Sequence, residues 1–198
     1  MGTQVLVISS GGTGPTTPVV PLPHIPLPLV TIVYNFIDQA STASWVSGSG
    51  SLPFPGPDTD SRGFTLTRDN VTLEDGQVYT KALETHPEWI TNGFISGAYI
   101  QMSSTYTVQA SDHFYSKIGF MKGASAGNVR YKVMIRPEGG PNVWIVDMIK
   151  TYNGALVTLD VPLSAYAGKK ADFILEVDAN NPSATQDWAC WVNTEITR

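Results

Sequence analysis

A chain of 198 residues with 12 basic and 17 acidic side chains, a formal charge of −5 and only 15% charged residues suits one domain plus an extension. It speaks against nucleic acid as a partner, because phosphate binding needs clustered Lys and Arg and only Lys169 and Lys170 are adjacent here. The single cysteine, Cys190, excludes an intrachain disulfide framework, and no apolar run approaches the roughly 20 residues of a bilayer span.

The first thirty-seven residues hold no Asp, Glu, Lys or Arg and six of the fourteen prolines. Proline keeps each step extended and removes N–H donors, so residues 1–28 read as an extended arm that lies along another surface. Val19, Val20, Leu22, Ile25, Leu27 and Leu29 are its expected subunit-docking side chains. The entropy of fixing such an arm is comparable with what its aliphatic side chains return on burial, so the arm needs a groove supplied from elsewhere. Gly11, Gly12 and Gly14 give the alternative, a flexible tether. Met1–Ser9 lacks the basic start and apolar core of a secretion signal, so no signal peptide is expected.

The body, residues 29–198, opens on Val30–Ile37, a branched and aromatic run expected as a first strand. Ser47–Pro57, rich in Gly, Ser and Pro, reads as a loop. Further strands are predicted at Gly63–Arg68, Gln77–Leu83, Gly93–Met102, Thr105–Gln109, His113–Phe120, Val129–Ile135, Val143–Ile149, Ala155–Val161, Ala171–Val177 and Trp188–Ile196. Asp75-Gly76, Gly139-Gly140-Pro141, Asn153-Gly154 and Ala179–Pro182 separate them, with Asn153-Gly154 the strongest hairpin signal. In Val129–Ile135 a period of two sets Val129, Tyr131, Val133 and Ile135 against Arg130 and Lys132, one face dry and one wet. About ten strands and no convincing helix indicate an all-β antiparallel β-sandwich of jelly-roll type.

Leu163–Val177 followed by Gln186–Ile196 resembles the last two strands of galactose-binding-like jelly rolls, including the NPCBM carbohydrate-binding modules. Leu52–Phe64 through Asn92–Gly97 is similar to sandwich modules repeated in bacterial surface proteins. The resemblance implies a jelly roll and a possible sugar ligand. It departs from the NPCBM pattern at Gln186-Asp187-Trp188, where the His of the family's run is missing.

Several constellations could carry chemistry. Gly123-Ala-Ser-Ala-Gly127 spells a nucleophile elbow but leads into a strand rather than a helix, so it reads as a turn. Asp58, Asp60 and Asp69 fall at positions 1, 3 and 12 of a calcium loop whose fifth position is Arg62. A structural calcium and an acidic turn closed by Arg62 are both open. His86-Pro-Glu88-Trp89 is either a sugar platform or a loop clasp with Trp89 packed inward. Asp112 and His113 could form an acid/base pair, yet no third group follows at a recognisable spacing. Trp188 and Trp191 have opposite parity on the last strand, so one faces the core; Trp191 with Trp144 could form an outer aromatic patch. A glycosidase would need two facing carboxylates that sequence cannot pair.

The expected function is therefore a non-catalytic assembly or attachment protein, such as a virion decoration, fibre or surface-filament subunit, forming a homo-oligomer through its arm. Virion or cell surface is the expected setting. The alternative is a carbohydrate-binding module using His86, Glu88, Trp89, Trp144 and Trp191. No enzyme activity, nucleic acid or membrane span is expected, and no cofactor beyond the possible calcium.

Overall fold

In a computed structural model, residues 30–198 are described; the docking residues Val19, Val20, Leu22, Ile25, Leu27 and Leu29, and with them the arm, lie outside the described residues. Twelve strands form two sheets: β1 (Ile32–Asn35), β2 (Ser44–Ser47), β3 (Gly50–Leu52), β4 (Phe64–Thr72), β5 (Val78–His86), β6 (Phe94–Tyr99), β7 (His113–Phe120), β8 (Asn128–Pro137), β9 (Val143–Thr151), β10 (Val157–Pro162), β11 (Ala171–Ala179) and β12 (Ala189–Thr197). One four-residue helix, α1 (Met102–Thr105), follows β6. Sheet A runs β10-β7-β12-β5-β4, with β1 on β12; sheet B runs β3-β2-β6-β11-β8-β9. Every strand pair is antiparallel. This is the expected jelly-roll sandwich.

The alternation predicted for β8 holds: Val129, Tyr131, Val133 and Ile135 are buried. They meet Phe114, Ile118, Phe120 and Trp191 from sheet A in a continuous core. Tyr131 is the rivet between the layers. Its ring stands edge-on to Trp191 at 4.9 Å, and its hydroxyl donates to Gly119 O while accepting from Cys190 N at 3.1 Å. A phenol that deep stays only because its polar end is satisfied. At Gly97 a Cβ would lie 2.4 Å from the Trp45 indole, so the closest approach of β6 to that ring requires glycine.

Three local expectations differ from the fold. Ser47–Pro57 contains β3 and the end of β2, because Trp45 and Leu52 pair across a tight turn at Gly50. Thr105–Gln109 is not a strand but one bridge, Thr107 to Lys170, after α1. Asn153-Gly154 is not a hairpin: it carries the chain from β9 in sheet B to β10 in sheet A. The buried carboxylate of Glu74 holds it there, accepting from Asn153 N at 2.8 Å and Gly154 N at 3.1 Å, and from Phe120 N at 3.1 Å. Lys150 Nζ closes this network at 2.8 Å from Glu74, so a charge inside the protein organises what the turn dipeptide alone suggested differently.

Candidate functional site

The connections β5 to β6, β7 to β8 and β11 to β12 cross between the sheets at one pole of the sandwich, and the end of the β3 to β4 crossing lies beside them. They are laced together by directed bonds. Trp89 N donates to Ser61 O at 2.9 Å and Thr91 Oγ1 to Pro182 O at 3.0 Å. Ala126 N donates to Gln186 Oε1 at 2.8 Å, and Asn128 N to Asp187 Oδ1 at 2.9 Å. Gly93 turns the first of these loops where a Cβ would meet Glu88 O at 2.1 Å, leaving no room for any other residue.

The result is a groove of about 400 Å³ between the β5–β6 loop and residues 183–186, walled by Trp89 and Trp188 with His86 behind them. Trp89 is 48% exposed, a large apolar face left in water, whereas Trp45 and Trp191 are buried in the core. Trp188 is half-buried and flanks the far side. The His86 ring lies on Phe64 at 5.1 Å and 5.7 Å from Trp89. Burial pushes its imidazole below the usual histidine value, partly offset by the Pro87 carbonyl. Its Nδ1 lies 2.8 Å from Pro87 O. That contact requires the proton on Nδ1 and leaves Nε2 as an acceptor. Ser183 and Thr185 hydroxyls, 2.5 Å apart, edge the opening.

Of the sequence-derived sugar residues, His86 and Trp89 meet here and the other three do not. Glu88 turns inward: its Oε1 accepts from Ser49 Oγ, and it clasps the β2–β3 turn in the role first considered for Trp89. Trp191 is fully buried, because it is the core-facing member of the Trp188/Trp191 pair; it has no outer face to offer a ligand. Trp144 is 41% exposed but stands on the edge strand β9 of sheet B under Lys132 Nζ, 5.4 Å from its centroid. The Trp144–Trp191 patch therefore does not exist. Trp188 and the 183–186 turn are the additions; parity required one of Trp188 and Trp191 to face outward but the expected patch used Trp191, and nothing in Ser183–Gln186 marks a polar turn as part of a wall.

Of the aspartates considered for calcium, Asp58 and Asp60 accept from arginines and Asp69 stands apart from them on β4. Asp60 accepts from Arg62 Nε at 3.1 Å and Nη2 at 2.7 Å, Asp58 from Arg68 at 3.2 Å, and Asp69 lies opposite Lys81 across β4 and β5. Arg62 beside Asp60 holds that carboxyl below its usual range. Among the described residues no group of three His, Cys, Asp or Glu side chains could hold a metal ion, and no helix is long and apolar enough to cross a membrane. Gly123–Gly127 is a turn leading into β8.

Asp112 and His113 do not pair. Asp112 accepts from Arg198 Nε at 2.7 Å and Tyr106 OH at 2.8 Å, while His113 Nδ1 lies 2.6 Å from Asp160 on the neighbouring strand. His113, Tyr115, Asp160 and Glu195 border a second groove, about 540 Å³, on the outer face of sheet A. Its charged groups are matched within the protein: His113 with Asp160, Arg198 with Asp112, and Glu195 with Asn35 Nδ2 at 3.1 Å. One phenol is its aromatic surface, against two indoles at the loop pole.

The sequence matches no protein-family model and no curated protein. Among solved structures it is similar to CBM51 from Clostridium perfringens GH95 in complex with methyl-galactose, 17% identical over 66% of this chain and 86% of that one, with a TM-score of 0.44. It is also similar to TmCBM61 in complex with β-1,4-galactotriose, 9% identical over 83% and 94% of the two chains, TM-score 0.46. A third is the CBM22-1 xylan-binding domain from Paenibacillus barcinonensis Xyn10C, 13% identical over 86% and 92%, TM-score 0.42. These neighbours are carbohydrate-binding modules with β-sandwich folds.

Proposed function

We propose that the domain is a non-catalytic glycan-binding module whose site is the groove between Trp89 and Trp188. The observation that carries this reading is Trp89, a half-exposed indole held on a loop whose backbone is bonded on both sides. Stacking a pyranose on an indole removes apolar C–H surface from water without requiring the protein to move. The hydroxyls of Ser183 and Thr185 at the opening supply acceptors and donors that a sugar's hydroxyls need, with the His86 ring lining the groove behind the indoles. A panel of immobilised glycans that includes galactosides, xylan and N-acetylglucosamine oligomers tests it: at least one is retained by the domain, and retention of none across the panel would refute the reading.

A second reading, a unit of a virion or surface assembly whose residues 1–28 dock on a neighbouring copy, rests on the charge-free, proline-spaced aliphatic run of that arm. Val30 and Ile32 are aliphatic yet 71% and 55% exposed, as apolar residues are where a partner surface covers them. An added strand at an open sheet edge would supply the backbone bonds of such docking. The two readings are compatible, since an assembly subunit can carry a sugar site.

A further inference from the structure

We infer that the groove continues past Trp188 into a second sugar subsite, so that the site reads a disaccharide rather than a single ring; this rests on the glycan-binding reading above. Trp188 is a wall of two depressions. The second, of about 230 Å³, is bordered by Trp188 together with Asp58, Phe64, Arg68, Glu84 and Met121. The two share more than the indole, because the Phe64 ring of the second is the one on which His86 of the first is stacked.

The chemistry of the second depression suits a polyol. Arg68 donates from Nε to Glu84 Oε2 at 2.5 Å and from Nη2 to Asp58 Oδ2 at 3.2 Å. A guanidinium carries five N–H donors in one plane, and these two bonds leave others for a ligand. Glu84 is the buried anchor, its side chain 2% exposed, while Arg68 and Asp58 are 30% and 55% exposed. Donor and acceptor thus stand side by side at the surface, the arrangement that a pair of neighbouring hydroxyls on one ring satisfies at once. Met121, partly exposed at the edge of the depression, gives that ring an apolar contact. The carboxylates balance the guanidinium, so the subsite favours neutral hydroxyls over an anionic sugar.

The test is calorimetric titration of the wild-type domain with matched pairs: galactose and β-1,4-galactobiose, xylose and xylobiose, glucose and cellobiose. In the pair the domain recognises, the disaccharide binds at least tenfold tighter than the monosaccharide. Asp58→Ala, at an exposed position, brings the disaccharide down to near the monosaccharide's affinity, and Arg68→Gln does the same, with thermal melting confirming that each variant is folded. Equal affinity for both members of every pair that binds, or a disaccharide affinity indifferent to both variants, overturns the second subsite while leaving the first groove standing. Binding of no sugar in any pair, by a domain that also retains nothing on the glycan panel, removes both.

Discussion

Asp187 shows how the site's scaffold is tuned one residue at a time. Its Oδ1 accepts the Asn128 N–H, but Oδ2 is buried without a hydrogen-bond partner. Burial pushes the carboxyl up to about 6 from an unfolded value of 3.8. The folded state therefore holds this proton more tightly than the unfolded chain, so the stabilisation is fully present below pH 3.8 and lost as pH rises through 6. A shift of this size is worth on the order of 2–3 kcal/mol. Urea unfolding at pH 4, 5, 6 and 7 should show wild type losing that margin relative to Asp187→Asn, which has no proton to release; a difference that stays constant with pH would contradict the assignment.

The buried Glu74 and Lys150 invite a separate test of stability. Removing one partner strands the other charge away from water, which costs about 3–5 kcal/mol. Glu74→Gln is accordingly expected to be far less stable to denaturant than wild type. The double variant Glu74→Gln with Lys150→Met, which keeps a side-chain oxygen for the backbone N–H groups that Glu74 binds, should recover part of that loss; a double variant as unstable as the sum of Glu74→Gln and Lys150→Met alone would show that the ion pair is not the reason.

At the scale of elements, legibility followed the physics of each segment. His113–Phe120 was bounded in the sequence as it is in the fold, because apolar alternation and flanking turn residues coincide there. β2 and β3 were hidden, since Ser-Gly-Ser-Gly-Ser carries no apolar period, and their pairing depends on Trp45 and Leu52 meeting across the turn. Asn153-Gly154 misled because its hairpin preference is a local signal, whereas its partner, Glu74, lies 79 residues away. The groove was half legible for the same reason. Trp89 and His86 share a tetrapeptide; Trp188 and the 183–186 turn come from the other end of the body, and only the crossings between sheets bring them together. Glu88 and Trp89 exchanged expected roles because neighbouring residues on a loop point in opposite directions, and sequence alone does not say which.

Taken whole, the molecule separates support from recognition. Tyr131, Trp191 and the phenylalanines fix the two sheets, and the crossing loops at one pole are tied to each other rather than to the core alone. The arm is outside this division. Deleting residues 1–28 should leave a folded body, and if the arm mediates assembly, the truncated protein runs as a monomer where the full chain runs larger by light scattering. Identical masses would exclude the arm as the assembly element without touching the groove.

The most direct measurement compares wild type with Trp89→Ala by calorimetric titration against whichever glycan the domain retains. Loss of the exposed indole should weaken binding at least tenfold, about 1.4 kcal/mol, with a melting temperature unchanged because Trp89 supports little of the core. Undiminished binding by the folded Trp89→Ala variant would contradict the account and move the sugar site elsewhere on the sandwich.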